Sequence, residues 1–317
     1  MILIISATED LHAQAVMREL ARHYSAGARM LNLSDFPMRL SLNMRFDNNG
    51  HCDHELQFPD RTVSMKEVSA VWWRRPQPFG IPAEVKDPAA RRFAMSEAAT
   101  AFQGMWQSTR ALWVNNIQRD AAASHKPYQL AVAKEIGLRI PETLITNDPE
   151  EARDFWSALP GQVVSRPFAA SVASRRETPV MNPENERMAE SVRLAPVIFQ
   201  KYVAGNDLRI TVVGDRVFPA ETGARHGEYR AAVRLNTGLH YRRHELPPAV
   251  QEKLVALTRR LGLEYAAIDM RVTSEGEYVF FEVNPAGQFL YVELATEMKI
   301  AAALADHLAA GKESSAI

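Results

Sequence analysis

The chain has a single cysteine, Cys52, in 317 residues. An intramolecular disulfide is therefore excluded, and so sparing a use of thiols fits a reducing compartment. A charge bias is also missing: 37 basic residues stand against 38 acidic ones, for a formal net charge of −1. That balance gives no global attraction to nucleic acid or to an anionic membrane. No apolar run approaches the ~20 residues of a membrane span. The opening Met1-Ile-Leu-Ile-Ile5 has no basic segment before it, and Thr8-Glu-Asp10 follows at once, so it reads as a buried first strand rather than a signal peptide. There are no visible repeats, and no Ser-His-Asp or Cys-His set stands out. These absences predict a cytoplasmic protein with neither nucleic acid nor membrane as partner. Its length suffices for two or three domains and a large core.

The most informative stretch lies near the end, from Ala267 to Gln288. It reads as two strands joined by a tight turn at Glu275-Gly276, where glycine supplies the positive φ of a short hairpin loop. That turn sets Thr273 opposite Tyr278 and therefore Asp269 opposite Glu282. Directly opposed residues have Cβ atoms roughly 4.5–5.5 Å apart. Asn284, two residues on, shares the face of Glu282 because the strand period is two. Two carboxylates so placed repel each other unless a cation sits between them. Three hard oxygen ligands suit Mg²⁺, which keeps waters and phosphates for its remaining positions. The alternative, an exposed hairpin with acids on its wet face, fits poorly. Val279, Phe281 and Val283 would fill one face, while Tyr278 and Phe280 share the other with Glu282.

Three regions are expected, 1–118, 119–201 and 202–317. In the first, Ala13, Val16, Met17 and Leu20 recur at helical spacing after the opening strand. Alternation marks strands at 39–46 and 51–58 around Asn48-Asn-Gly50. His51-Cys52-Asp-His54 contains metal-ligand types, but alternation is read as placing Cys52 on the face opposite both histidines, so no metal is expected there. Further strands are predicted at 69–73 and 113–116, with a long helix from about Pro88 between them. The second region offers a helix from Lys126-Pro127 to 136, with proline well placed in a first turn. Strands follow at 143–146, 162–166 and 197–200, with a helix over 150–158 and a small, polar loop over 169–178. The third region offers strands 208–213 and 216–220, a helix over 247–261, the hairpin, one helix from about 293 to 309, and a frayed tail from Gly311.

These pieces resemble the ATP-grasp superfamily, in particular the peptide-modifying ligases of the microviridin (graspetide) type. The resemblance covers nearly the whole chain and rests on Ala70-Val-Trp-Trp-Arg-Arg-Pro76, Lys126-Pro-Tyr-Gln-Leu130, Gly137-Leu-Arg-Ile-Pro-Glu-Thr-Leu-Ile-Thr-Asn-Asp148 and Glu282-Val-Asn-Pro-Ala-Gly-Gln288. It implies an α/β (α+β ATP-grasp) fold, in which an N-terminal α/β domain of pre-ATP-grasp type precedes two subdomains that clasp ATP. By the same resemblance, Asp269, Glu282 and Asn284 hold Mg²⁺. Gln200-Lys201-Tyr-Val203 is similar to the linking strand whose backbone binds adenine, through Gln200 and Val203. Asp207 matches the ribose acid and Lys126 the first phosphate-binding lysine. Where the family usually has Lys-Pro, this chain has Arg166-Pro167. Arginine keeps the charge and can bind two phosphate oxygens, but it packs differently. The loop 169–176 is poorer in glycine than the family pattern.

The resemblance further implies activation of a carboxylate by the γ-phosphate of ATP. An acyl phosphate forms, and an amine or hydroxyl then displaces phosphate. Such steps build negative charge on oxygens, so fixed cations and metals matter more than a nucleophile. Arg209 matches the family's arginine near the reacting group. Tyr229-Arg230 resembles its aromatic-arginine site, with Glu228 one place displaced from the usual acid. The segment 224–244 carries Arg225, Arg230, Arg234, Arg242 and Arg243 with His226, His240 and His244. A ribosomal precursor peptide with an acidic core and a leader would be drawn to such a patch, although a solvated basic face would look the same. The resemblance leaves room for a homodimer. Two other functions stay open: a ligase joining amino acids or small carboxylates, and a nucleotide-binding regulator without catalysis.

Overall fold

The structure is a computed structural model and describes residues 1–24, 27–50, 52–166, 168, 190–222 and 240–311. The chain begins with β1 (Ile2–Ile5), α1 (Leu11–His23), β2 (Ala28–Leu31), β3 (Ser41–Phe46), β4 (Cys52–Gln57), β5 (Thr62–Ser64), β6 (Ala70–Trp73), α2 (Pro88–Ser108) and β7 (Leu112–Val114). A parallel sheet forms in the order β2-β1-β6-β7, and β3-β4-β5 makes a separate antiparallel ribbon. Parallel strands buried on both faces read as continuous apolar runs, which is why Ile2–Ile5 is wholly apolar and buried. The helix ends are set by local chemistry. Asp10 caps α1 through His12 N and Ala13 N, and Asp87 caps α2 ahead of Pro88.

The middle of the chain contributes α3 (Ile117–Ala123), α4 (Lys126–Glu135), β8 (Thr143–Thr146), α5 (Pro149–Ala158), β9 (Val163–Arg166) and β10 (Val197–Lys201). The three strands pair antiparallel in the order β8-β10-β9, over a small core of Ala152, Trp156, Val163, Val192 and Phe199. Then come β11 (Asn206–Val213), β12 (Arg216–Thr222), β13 (Tyr241–Arg243), α6 (Pro248–Arg260), β14 (Tyr265–Val272), β15 (Tyr278–Asn284), α7 (Leu290–Thr296) and α8 (Ile300–Ala310). The last five strands form one antiparallel sheet in the order β13-β12-β11-β14-β15.

The two faces of this sheet do different work. Leu208, Ile210, Val212, Ala266, Ile268, Met270, Phe280 and Val283 pack with Leu130, Val132 and Ala133 of α4 and with Leu254 and Leu257 of α6. On the opposite face, Val213, Ala220, Tyr265 and Ala267 join Ile2, Ile4, Val16, Leu20, Phe289 and Leu304 in a single cluster. The N-terminal sheet and one end of the C-terminal sheet therefore share a core. Farther along that face, the strands carry Asp207, Arg209, Asp269 and Arg271 in place of apolar residues.

Two expectations change, and one helix is added. The helix predicted over 293–309 is two helices: Glu297 adopts a left-handed φ of 57°, ending α7, and the chain restarts at Ile300. The Glu293 carboxylate accepts from Ala301 N at 2.6 Å, which satisfies one of the free amides the new helix exposes. The segment 117–123, for which no element is predicted, is helical, and Asn116 caps it through Gln118 N and Arg119 N. Cys52 and His54 share a face rather than opposing each other, since residues two apart in a strand point the same way; Cys52 Sγ lies 3.4 Å from His54 Nε2. His51 lies outside the described residues, and among those described no group of three or more His, Cys, Asp or Glu could hold a metal. The loop at 169–178 and the tail beyond Gly311 fall outside the described residues. Among those described, no helix is long and apolar enough to cross a membrane.

Asp120, in the first turn of α3, provides a pH test of this packing. Burial pushes its carboxyl up to about 6, against an opposing hydrogen bond from Asn115. Its Oδ2 has no hydrogen-bond partner. A carboxyl with a raised folded-state pKa is tolerated below its unfolded value of 3.8 and penalised progressively as the pH rises to about 6. Asp120→Asn is therefore expected to stabilise the fold above pH 6, by up to about 3 kcal/mol, and to change little near pH 4. Urea denaturation at the two pH values measures this. A variant less stable at the higher pH would mean that the ionised carboxylate is in fact well solvated.

Candidate active site

The site begins at the β14–β15 hairpin. Asp269 pairs with Glu282, and Asp269 also stands across from Arg209 on β11. The route to that register differs from the two-residue turn the sequence suggests. Thr273 N donates to Glu277 O and Gly276 N to Thr273 O, so the loop holds Ser274, Glu275 and Gly276, with Gly276 at φ 78°. This is the three-residue hairpin that needs a left-handed last residue. Val272 consequently pairs with Tyr278, and the register shifts by one between Met270–Phe280 and Asp269–Glu282. The extra residue is Phe281. A bulge of this kind re-aims side chains: Phe280 joins Val283 in the core, while Phe281 lies under two guanidinium groups, Arg166 at 4.9 Å and Arg271 at 5.2 Å from its ring centroid. The predicted division, with Phe280 beside Glu282, is thus corrected.

Each acid of the pair meets a fixed cation. Arg209 Nη1 donates to Asp269 Oδ1 at 2.7 Å, and Lys126 Nζ lies 3.1 Å from Glu282 Oε2. The two carboxylates are thus compensated by the protein's own side chains, and their repulsion alone does not require a metal. The donor set nevertheless fits one: two carboxylates and the Asn284 amide oxygen are hard ligands of the type Mg²⁺ takes. Asn284 Oδ1 accepts from Ala286 N at 3.1 Å, which fixes the amide's orientation at the strand end.

A second ion pair on the same sheet face links Asp207 to Arg271, with Nε to Oδ1 at 2.8 Å. Arg271 also donates to Val203 O. Gln200 lies within β10 between Thr143 and Val164, and its Nε2 donates to Thr143 Oγ1 at 3.2 Å. An adenine edge at Gln200 and Val203 would have to compete with these pairings. Lys201 closes β10, and its N–H donates to Glu142 O. Arg166 ends β9.

Arg230, Tyr229 and the loop at 169–176 lie outside the described residues. Of the basic segment, His240, Arg242, Arg243 and His244 are described, and the last three are engaged. Arg242 donates to Glu221 Oε1 at 2.7 Å, His244 Nδ1 is 3.0 Å from Glu221 Oε2, and Arg243 donates to Thr296 O. Burial opposes ionisation of Glu221, but hydrogen bonds from Arg242 and His244 hold its pKa below the usual value. These residues serve the sheet's end rather than a free patch.

The loop after β15 is held by its main chain to a degree the sequence does not announce. Val283 O accepts from Gln129 at 2.8 Å, and Asn284 O from Gly287 N at 3.1 Å. Pro285 O accepts from Asn115 at 3.0 Å, and Ala286 O from Arg74. Gly287 O accepts from Arg74 and from Tyr265 Oη, each at 2.9 Å, and Gln288 O from Arg209 at 3.2 Å. Gly287 allows this closeness: a Cβ there would stand 2.3 Å from Ala267 Cβ and 2.7 Å from an Arg209 nitrogen. Arg74 and Gln129 fall in stretches that carry the family resemblance and Asn115 in a predicted strand, yet sequence reasoning gives them no role. The one available signal is a strong polar residue inside an otherwise buried run.

Comparison with known proteins bears on the fold and the family. Residues 1–121 match the MvdD pre-ATP grasp domain and residues 121–308 the RimK-like ATP-grasp domain. A RiPP-associated ATP-grasp ligase from Chryseobacterium gregarium, solved with ADP and a leader and core peptide, is 27% identical, with a TM-score of 0.89 over 100% of this chain and 99% of that one. The macrocyclase MdnC from Microcystis aeruginosa, bound with precursor peptide MdnA, is 26% identical, with a TM-score of 0.82 over 97% and 98%. A probable alpha-L-glutamate ligase 2 from Hahella chejuensis is 27% identical over 96% of this chain and 94% of its own length. The matches to several other probable alpha-L-glutamate ligases span 60–66% of those proteins. The RimK-like match takes in more than half of the sequence and includes Lys126, Asp207, Arg209, Asp269 and Glu282: the chain belongs to the RimK-like ATP-grasp family.

Proposed function

We propose that the protein is an ATP-dependent ligase that closes macrocycles in a ribosomally made precursor peptide. It activates Asp or Glu side chains of the core as acyl phosphates and joins them to a hydroxyl or amine, giving esters or amides. The observation that carries this reading is the charge quartet Lys126–Glu282 and Arg209–Asp269, in a chain whose whole length superposes on peptide-bound ATP-grasp ligases.

In this reading Asp207 takes the ribose hydroxyls, and Lys126 with Arg166 takes phosphate oxygens. Asp269, Glu282 and Asn284 hold Mg²⁺, which supplies neutralisation of the triphosphate charge when bound. Arg209, anchored to Asp269 and to the Gln288 carbonyl, presents a cation of fixed geometry to the oxygens on which charge develops. Arg230 is assigned to the substrate carboxylate. The activated carboxylate gives up phosphate as the leaving group, and the attacking hydroxyl or amine loses its proton, so each bond formed costs one ATP and removes one water from the peptide.

The glutamate-ligase names of the curated relatives favour a second reading, addition of a free amino acid to a carboxylate. Co-expression with an acidic precursor peptide, followed by mass spectrometry, separates the two. Macrocyclisation lowers the peptide mass by one water per bond, whereas glutamylation raises it by one glutamyl residue. An unmodified peptide, together with ADP release that depends on free glutamate, would overturn the first reading.

A further inference from the structure

Gln129 is 2% exposed, and its helix packs into the apolar cluster that contains Leu130, Val132, Phe280 and Val283. A primary amide is expensive to bury unless it is bonded. This one is satisfied entirely by main chain. Nε2 donates to Ala123 O at 2.5 Å and to Val283 O at 2.8 Å, while Oε1 accepts from Val283 N at 2.9 Å. The pair of bonds to Val283 is what a neighbouring strand would supply, an acceptor and a donor facing one residue's N–H and C=O. β15 is the edge of its sheet, and the same edge is covered at Phe280 N by Arg139 O at 2.8 Å. Gln129 therefore acts as a one-residue strand.

Val283 stands between Glu282 and Asn284. One turn before Gln129 on the same helix, Lys126 reaches Glu282. The helix α4 thus grips the ligand strand twice, by its backbone and by its carboxylate. We propose that Gln129 is a positioning residue: by fixing the main chain of Val283, it sets the directions of Glu282 and Asn284 relative to Lys126. Metal and phosphate are then met by groups already in place. The inference rests on the reading that Asp269, Glu282 and Asn284 hold the metal.

The test is Mn²⁺ binding in the presence of ADP, followed by electron paramagnetic resonance, on the full chain and on Gln129→Leu and Gln129→Glu. Loss of an outer partner that orients ligands typically costs about 10–100-fold in metal affinity. Gln129→Leu is expected to weaken Mn²⁺ binding by that factor, while metal-free ADP binding stays near the wild-type value. Gln129→Glu cannot donate to Val283 O when ionised but can when protonated. Burial raises the pKa of such a carboxyl, so its Mn²⁺ affinity relative to wild type should recover as the pH is lowered from 8 towards 6. Wild-type affinity in a folded Gln129→Leu overturns the inference. If that variant does not fold, a pH-independent affinity ratio for Gln129→Glu overturns it instead. Undiminished Mn²⁺ binding by Glu282→Gln would remove the underlying metal reading, which is a separate result.

Discussion

Glu282→Gln and Asp269→Asn are each expected to lower peptide modification by roughly 10²–10³-fold or more, with thermal unfolding almost unmoved. The two halves of this expectation come from different magnitudes. The side chains are 21% and 30% exposed, and they are paired with Lys126 and Arg209. Partly solvated ion pairs contribute only about 0–1 kcal/mol to stability, so an isosteric amide should leave the fold intact. The same substitution removes one of two negative charges available to a divalent cation, and it frees Lys126 or Arg209 to repel that cation. Steady-state phosphate release with a matched peptide, beside a melting curve, reads both halves. Wild-type turnover in either variant would exclude the hairpin acids from the chemistry.

Arg74→Ala should do the reverse and act on stability first, by about 3–5 kcal/mol. Arg74 is 1% exposed. Its guanidinium holds the carbonyls of Ala286 and Gly287 on one side, and on the other its Nε lies 3.3 Å from Asp10 Oδ2. Burial opposes ionisation of Asp10, yet hydrogen bonds from His12 and Ser6 and the Arg74 charge keep its carboxyl well below the usual range. Truncation takes the buried cation from the Asp10 carboxylate, a donor from the Ala286 carbonyl and one of two donors from the Gly287 carbonyl. Arg74→Lys should recover only part of the loss, because an ammonium cannot span both sides as a planar fork does. Denaturant unfolding at neutral pH measures the difference. The stabilisation linked to Asp10 is present above the ordinary aspartate pKa and is lost as the pH falls below it, so the deficit of Arg74→Ala should shrink in acid. A deficit under 1 kcal/mol would show that water replaces the guanidinium.

Local pattern carries the elements and the opposition of Asp269 to Glu282, since hydrophobic alternation and a turn glycine are short-range signals. It reaches that pairing by two displacements that cancel, a three-residue loop in place of two and the bulge at Phe281. A bulge has no composition of its own, so the side-chain division around it cannot be read from period two. The break at Glu297 is equally silent, because a left-handed glutamate is not a residue one expects to end a helix. The residues that hold the 283–288 loop are hidden for another reason. Gln129 and Arg74 bind carbonyls 154 and 212 residues away, and a carbonyl is the same in every residue, so the partner sequence keeps no trace of the contact.

The core shared by the two ends of the molecule bears on the order in which the protein can fold as it is made. The sheet of β1, β2, β6 and β7 can bury one face as soon as α2 has been synthesised, against Phe102, Met105 and Trp106. Its other face carries Ile2, Ile4, Trp72 and Val114, and it is completed by Tyr265, Phe289, Ile300 and Leu304. Those residues leave the ribosome well after α2. Until they are made, α1 alone covers that face and the first domain presents a partly open apolar surface, the condition under which chains aggregate or recruit chaperones. The C-terminal helix is the piece that ends that exposure.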